Sequence, residues 1–312
     1  MTTTRIATPD LVTNSYFPAL AAEELGVFRE EGLDAHVGLL PSLEAVNALR
    51  DGAVDFVAGG AHTTLAAFPG WHGAKLVVAL SQGTPWLLVL RADVPARRGD
   101  VGAVKGLRIG AAPGPDRAFL HLLREAGIDP ARDGVAIAPV PGGDAAGASF
   151  GVLAAEALAR GVIDGFWANA LGSETAVRRG VGKVVVDVRR GDGPPGAGHY
   201  TFAALATTEK LLAGEPERAS AAVRAIVRAQ RILARDPARA TEVGRRRFPP
   251  AAAEMIAALV ERDLPFYDPV ISEASIDSMN RFAQAAGLLA KPVAYDQVVA
   301  TRVRHLWSIP AA

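Results

Sequence analysis

Ala48-Leu49-Arg50-Asp51-Gly52-Ala53-Val54-Asp55 and Ala157-Leu158-Ala159-Arg160-Gly161-Val162-Ile163-Asp164 are two copies of one pattern, set about 110 residues apart. In each, a helical stretch stops at a glycine and an acid precedes an apolar run. Upstream lies a second matched pair, Arg29-Glu30-Glu31-Gly32-Leu33-Asp34 and Arg124-Glu125-Ala126-Gly127-Ile128-Asp129. Before these stand two short apolar strands, Arg5-Ile6-Ala7-Thr8 and Leu107-Arg108-Ile109-Gly110-Ala111. The order strand, helix, turn, strand, helix, turn, strand therefore occurs twice. It predicts two α/β lobes of one design with a ligand cleft between them.

Working outward, the first lobe takes strands at Arg5–Thr8, Ala35–Leu40, Val54–Ala58, Leu76–Leu80 and Trp86–Leu90, with a helix begun at Gly59–Thr64. Charge, proline and glycine crowd Asp93–Lys105 and then Arg189–Gly198, as expected of crossings between lobes. Between them the second lobe carries a Pro115–Glu125 helix, a Val135–Val140 strand, a glycine-rich loop to Ala148, a helix to Arg160, and strands at Ile163–Trp167 and Lys183–Val188. A strand at Tyr200–Thr207 rejoins the first lobe, and helices follow from Glu215. The expected division is residues 1–92 with 200–312 for lobe 1 and 93–199 for lobe 2.

A chain of 312 residues is long enough for two cores, because single cores rarely grow beyond about 250 residues. Its 33 basic and 33 acidic side chains leave no net charge, which argues against a nucleic-acid partner held by counterion release. Cysteine is absent, which removes thiolate nucleophiles and thiolate-held metals. No apolar run approaches the roughly 18 residues of a membrane span. Met1-Thr2-Thr3-Thr4-Arg5 leads straight into the first strand, so the expectation is a cytoplasmic protein if Met1 is the native start and an extracytoplasmic one if a leader was removed.

The run Phe17 to Asp34, FPALAAEELGVFREEGLD, followed by Leu49-Arg50-Asp51-Gly52-Ala53-Val54-Asp55, resembles the nitrate/sulfonate/taurine substrate-binding proteins of ABC importers, in the wider NMT1/THI5-like family. The likeness continues through Val104-Lys105-Gly106-Leu107-Arg108-Ile109-Gly110, Gly127-Ile128-Asp129-Pro130 and Gly161-Val162-Ile163-Asp164, to Phe282-Ala283-Gln284-Ala285-Ala286-Gly287-Leu288-Leu289. It covers nearly the whole chain. The resemblance implies a type II periplasmic-binding-protein fold: two α/β lobes, joined by two crossing strands, closing on a small-molecule ligand delivered to an ABC permease. The same superfamily looks to include soluble enzymes: a sulfinate desulfinase, a dihydroxyphthalate decarboxylase, and a fungal pyrimidine synthase whose cysteine-rich iron motif is missing here. A cofactor-free enzyme of that kind is the alternative.

Ligands of open α/β sheets lie beyond the carboxyl ends of the strands. Four loops qualify there, contributing Asn14, Ser15 and Tyr16; Gly60, His62 and Thr63; Pro113 and Arg117; and Ser149. Helix capping by Asn14, Ser15, Thr63 or Ser149 is the competing explanation. The sparse aromatics Tyr16, Trp86, Trp167 and Tyr200, with Asn169, also fall near strand ends, where a flat ligand can stack and hydrogen-bond. Arg117 would pair with a carboxylate or sulfonate. Such a set favours a substituted aromatic, heteroaromatic (pyrimidine-like) or sulfonate-like molecule over a bare oxyanion. His62 and His199 are the acid–base candidates should the cleft be an active site. No clustered metal ligands, Walker loop or dinucleotide fingerprint appear, so neither metal nor cofactor is expected. Gly147-Ala148-Ser149-Phe150-Gly151, with Asp164 and His199 downstream, imitates a hydrolase nucleophile elbow, but a loop precedes it where an elbow requires a strand.

Overall fold

A computed structural model describes residues 3–142 and 149–308; the remainder of the glycine-rich loop, with Gly147 and Ala148 of the elbow-like pattern, lies outside them. The chain divides into two compact units, Gly83–Tyr200 and a discontinuous one of Met1–Gln82 with Thr201–Ala312. Ten strands are distributed equally. The first unit holds β1 (Thr4–Thr8), β2 (Ala35–Leu39), β3 (Phe56–Gly60), β4 (Ala74–Ser81) and β10 (Ala203–Thr208) in the order β2-β1-β3-β10-β4. The second holds β5 (Leu87–Arg91), β6 (Arg108–Ala111), β7 (Ala136–Ala138), β8 (Gly165–Ala168) and β9 (Gly182–Asp187) in the order β7-β6-β8-β5-β9.

Each sheet has one antiparallel member in the same place, β10 in the first and β5 in the second, and each is supplied by chain that has just arrived from the other unit. This doubles the topology, and the fold is that of the periplasmic-binding proteins. Sequence analysis put Trp86–Leu90 in lobe 1 and the first crossing at Asp93–Lys105. In the structure β5 pairs with β8 and β9, and the chain passes between units at residues 82–83. Asp93–Lys105 is a surface loop of the second unit that ties back through the Gly99 N–H to the Val185 carbonyl, 2.7 Å. Its composition signals a loop; only strand pairing shows which unit owns it.

The repeated motif has a common structure in both units. The Asp55 carboxylate accepts the Arg5 backbone N–H at 2.7 Å, the Asp55 N–H returns to the Arg5 carbonyl at 2.8 Å, and the Arg5 guanidinium reaches the Gly52 carbonyl at 3.1 Å. In the second unit Asp164 takes the Arg108 N–H at 3.0 Å, donates its own to the Arg108 carbonyl at 2.8 Å, and Arg108 reaches the Gly161 carbonyl at 2.9 Å. Gly52 and Gly161 both turn at positive φ, +73° and +70°, which a side chain would resist. These acids pin the amino ends of β1 and β6.

Helices at Phe17–Glu24 and Pro216–Arg235 pack together beneath the first sheet; the longer buries Ala219, Val223, Ile226, Val227 and Leu233 on one face, the 3.6-residue stripe read from its sequence. The free edge of β4 is covered by the C-terminal segment. Leu76 bridges Val299, the Ala79 N–H donates to the Pro269 carbonyl at 3.0 Å, and the Trp307 indole donates to the Val77 carbonyl at 2.9 Å, so these groups are not open to another strand. The Ala170–Arg178 helix was not anticipated. It contains Gly172 and Ser173, which weaken a helical pattern. It exists because Gly172 lets it meet the Phe150–Ala159 helix at Gly151, where an added Cβ would lie 2.5 Å from the Gly151 carbonyl oxygen.

Two outcomes follow from these contacts. Gly172→Ala forces the helices apart and lowers stability by about 1–3 kcal/mol, measured by urea unfolding. For Asp164, hydrogen bonding to Arg108 holds the carboxyl well below its usual range. A depressed folded-state pKa gives stability that is present above the unfolded value of about 3.9 and lost as pH falls through the folded one. Asp164→Asn therefore melts lower than wild type at neutral pH and shows a shallower further loss below about pH 4, read by thermal denaturation across pH.

Candidate ligand-binding site

In the first unit, the carboxyl ends of β1, β3 and β4 share one edge of the sheet with the start of antiparallel β10. Ala203 pairs with both Gly60 and Ser81, and a Cβ on Gly59 would meet Pro9 at 3.7 Å. Onto this edge the chain delivers Asn14, Ser15, Tyr16, Gly60, His62 and Thr63, all buried. These six predicted residues share one rim.

Their side chains do not cap helices. The Phe17–Glu24 helix is capped at Tyr16 without any side-chain bond, and its first turn closes through the Tyr16 carbonyl to the Ala19 N–H, 3.0 Å. Expected as a helix, the segment after β3 is a 3-10 turn, Ala61–Ala66, in which the Thr63 hydroxyl donates to the Gly60 carbonyl at 2.7 Å. His62 is 1% exposed; its Nδ1 lies 3.0 Å from the Thr201 hydroxyl and its ring meets Phe282 edge-on at 5.3 Å. The histidine is thus oriented by a residue sequence reasoning did not select.

Asn14 and Ser15 are different. Each is 1% exposed, yet neither the Asn14 Oδ1 nor the Ser15 Oγ has a hydrogen-bond partner. Burying a polar atom unpaired costs about 1–3 kcal/mol, so such atoms in a native fold call for an explanation. The other half of the Asn14 amide is engaged: Nδ2 donates to Asp263, and the Tyr267 hydroxyl donates to the Asn14 carbonyl at 2.5 Å. Asp263 and Tyr267 come from the end of the Pro250–Asp263 helix and the turn beyond it, which bonds to Gln82 after β4 through the Phe266 carbonyl at 2.7 Å. No local pattern could have found these two residues, because their partner lies about 250 positions away in sequence.

In the second unit the predicted residues divide. Trp167 is the next-to-last residue of β8, is 1% exposed, stacks on Phe119 with ring centres 5.3 Å apart, and lies 6.1 Å from Trp86. Its indole N–H is buried without a partner. Asn169 caps the Ala170–Arg178 helix, its Oδ1 accepting from the Leu171 and Gly172 N–H groups at 3.1 and 3.2 Å. Ser149 begins the Phe150–Ala159 helix with no side-chain capping bond. Pro113 and Arg117 are exposed, as is His199. Tyr200 is buried; its hydroxyl donates to Glu125, and burial together with that carboxylate raises the phenol above its ordinary range. Its hydroxyl is therefore committed within the unit. The hydrolase-like pattern is accounted for structurally: Gly151 serves helix packing, and the Asp164 carboxylate is spent on Arg108 and Arg91.

Among the described residues there is no group of three potential metal ligands and no helix long and apolar enough to cross a membrane. Ser15→Ala removes a buried hydroxyl that pairs with nothing. Its melting temperature should equal or exceed that of wild type, within about 1 kcal/mol, by scanning calorimetry; a large loss would show that the hydroxyl is structural.

Residues 11–246 match the model of the NMT1-like family. Comparison with curated proteins gives no match. Among solved structures, a protein of Bordetella bronchiseptica RB50 superposes with a TM-score of 0.77 at 21% identity, over 98% of this chain and 97% of that one. The alkanesulfonate-binding protein SsuA of Xanthomonas axonopodis pv. citri, bound to MOPS, gives 0.69 at 16% identity over 96% and 97%. The desulfurization enzyme DszB in complex with biphenyl-2-sulfinic acid gives 0.66 at 18% identity over 98% and 99%.

Proposed function

The chain belongs to the NMT1-like family, and from that premise we propose that it is a solute-binding protein that captures a small organic ligand for an ABC importer. The observation carrying this reading is the buried polar rim of the first unit, where Asn14 Oδ1 and Ser15 Oγ are held in place without partners. A fold keeps such atoms at a cost unless a bound molecule completes them. In the second unit the Trp167 indole N–H, set within stacked rings, suits a flat or sulfonated molecule offering an acceptor. Arg117 is exposed, available to an anionic substituent. A permease partner and an extracytoplasmic location belong to this proposal.

The enzyme alternative draws support from the fold shared with DszB over nearly both chains. His62 would be its acid–base group, since Thr201 orients its ring; exposed His199 has no comparable setting. One experiment separates the readings. A thermal-shift screen of sulfonates, aromatic carboxylates and pyrimidines, with mass analysis of every recovered compound, should raise the melting temperature by about 5 °C at a hundredfold excess over Kd and return the ligand unchanged. A new product would establish catalysis instead.

A further inference from the structure

Resting on the solute-binding reading, we infer that Asp263 fixes Asn14 as a hydrogen-bond acceptor, so that the first unit selects ligands bearing an N–H donor, such as an amine or amino-heterocycle. A primary carboxamide has an oxygen that only accepts and a nitrogen that only donates. Which end faces which neighbour is decided by the partners. Here the partner is a carboxylate, 2% exposed, that receives the Asn14 Nδ2. Reversing the amide would set two acceptor oxygens against each other in a buried place and forfeit the bond.

The rest of the loop is held as firmly. Tyr267 fixes the Asn14 carbonyl, and the Ser15 N–H donates to the Thr13 hydroxyl at 3.3 Å. Asn14 therefore has neither side-chain nor main-chain freedom to turn its nitrogen outward. Its Oδ1 is buried and unpaired, beside a Ser15 hydroxyl that can either donate or accept;. The charge balance points the same way. Among the described residues no lysine or arginine is buried, while Asp263 is, and Arg262, 3.4 Å from it, is exposed. A desolvated oxyanion against Asn14 would meet an acceptor backed by an acid, with no buried cation to offset it. An N–H group there completes the Asn14 oxygen and is drawn by the same acid.

Matched probe pairs that differ only in an amino or a methyl group test this: 2-aminoethanesulfonate with propane-1-sulfonate, 4-aminobenzoate with 4-methylbenzoate, and 4-aminopyrimidine with 4-methylpyrimidine, titrated calorimetrically. In a pair that binds, wild type should favour the amino member by about thirtyfold, within the range for a site whose polar group is left unpaired by the analogue. Asn14→Leu, similar in volume, should bring the members to within about twofold. Asp263→Asn supplies an amide that can donate to the Asn14 oxygen and free Asn14 to turn, and should lower the preference by about tenfold or more. Circular dichroism melting confirms that each variant is folded, and either variant alone decides if the other is not. Equal binding within every pair that binds, or an amino preference that survives in the folded variants, overturns this inference and leaves the solute-binding reading intact. No binding by any of the six compounds overturns both.

Discussion

A carboxylate on an N–H at a strand's amino end is the contact from which the rest of each unit follows. Asp55 holds Arg5 at the amino end of β1, and Asp164 holds Arg108 at the amino end of β6. In each case the acid also immediately precedes the neighbouring strand, so one residue sets the register of two parallel strands. Parallel pairing is slanted and slightly weaker than antiparallel pairing, and a slip of one residue would turn every side chain to the opposite face of the sheet. Fixing one end of the sheet determines which residues emerge at the other. Asn14 and His62 stand on a common rim because Asp55 holds the far end of their strands.

The two ends of the first unit then treat polar groups in opposite ways. At the amino end, Asp55 is bonded to Arg5 and Arg218, and the Arg5 guanidinium finds the Gly52 carbonyl. At the carboxyl end, Asn14 and Ser15 are buried with an oxygen each left unmatched. The C-terminal segment has a double duty in this arrangement. It covers the edge of β4 and also brings Asp263 and Tyr267 to Asn14, so closing the sheet and ordering the rim are one event.

Much of the fold was legible because it rests on local patterns. Strand β1 is an apolar run, the Pro216–Arg235 helix shows its stripe, and the duplicated glycine and acid mark the same turn twice. The Ala170–Arg178 helix was not legible, since Gly172 and Ser173 weaken the helical pattern and the compensating approach to Gly151 is a contact between separate helices. The ownership of β5 was missed for a similar reason. An apolar strand beside Pro/Gly-rich chain reads identically in either unit, and only its bonds to β8 and β9 decide.

The sequence by itself determined the repeat, the α/β class and the loops that carry Asn14, Ser15 and His62, because turns, caps and hydrophobic periods are properties of neighbouring residues. Tertiary structure decided how the polar groups of those loops are oriented. The direction in which the Asn14 amide points depends on Asp263, the His62 ring on Thr201 and Phe282, and the Tyr200 hydroxyl on Glu125. Hydrogen-bond polarity is a property of pairs, and these pairs form only after distant segments have packed.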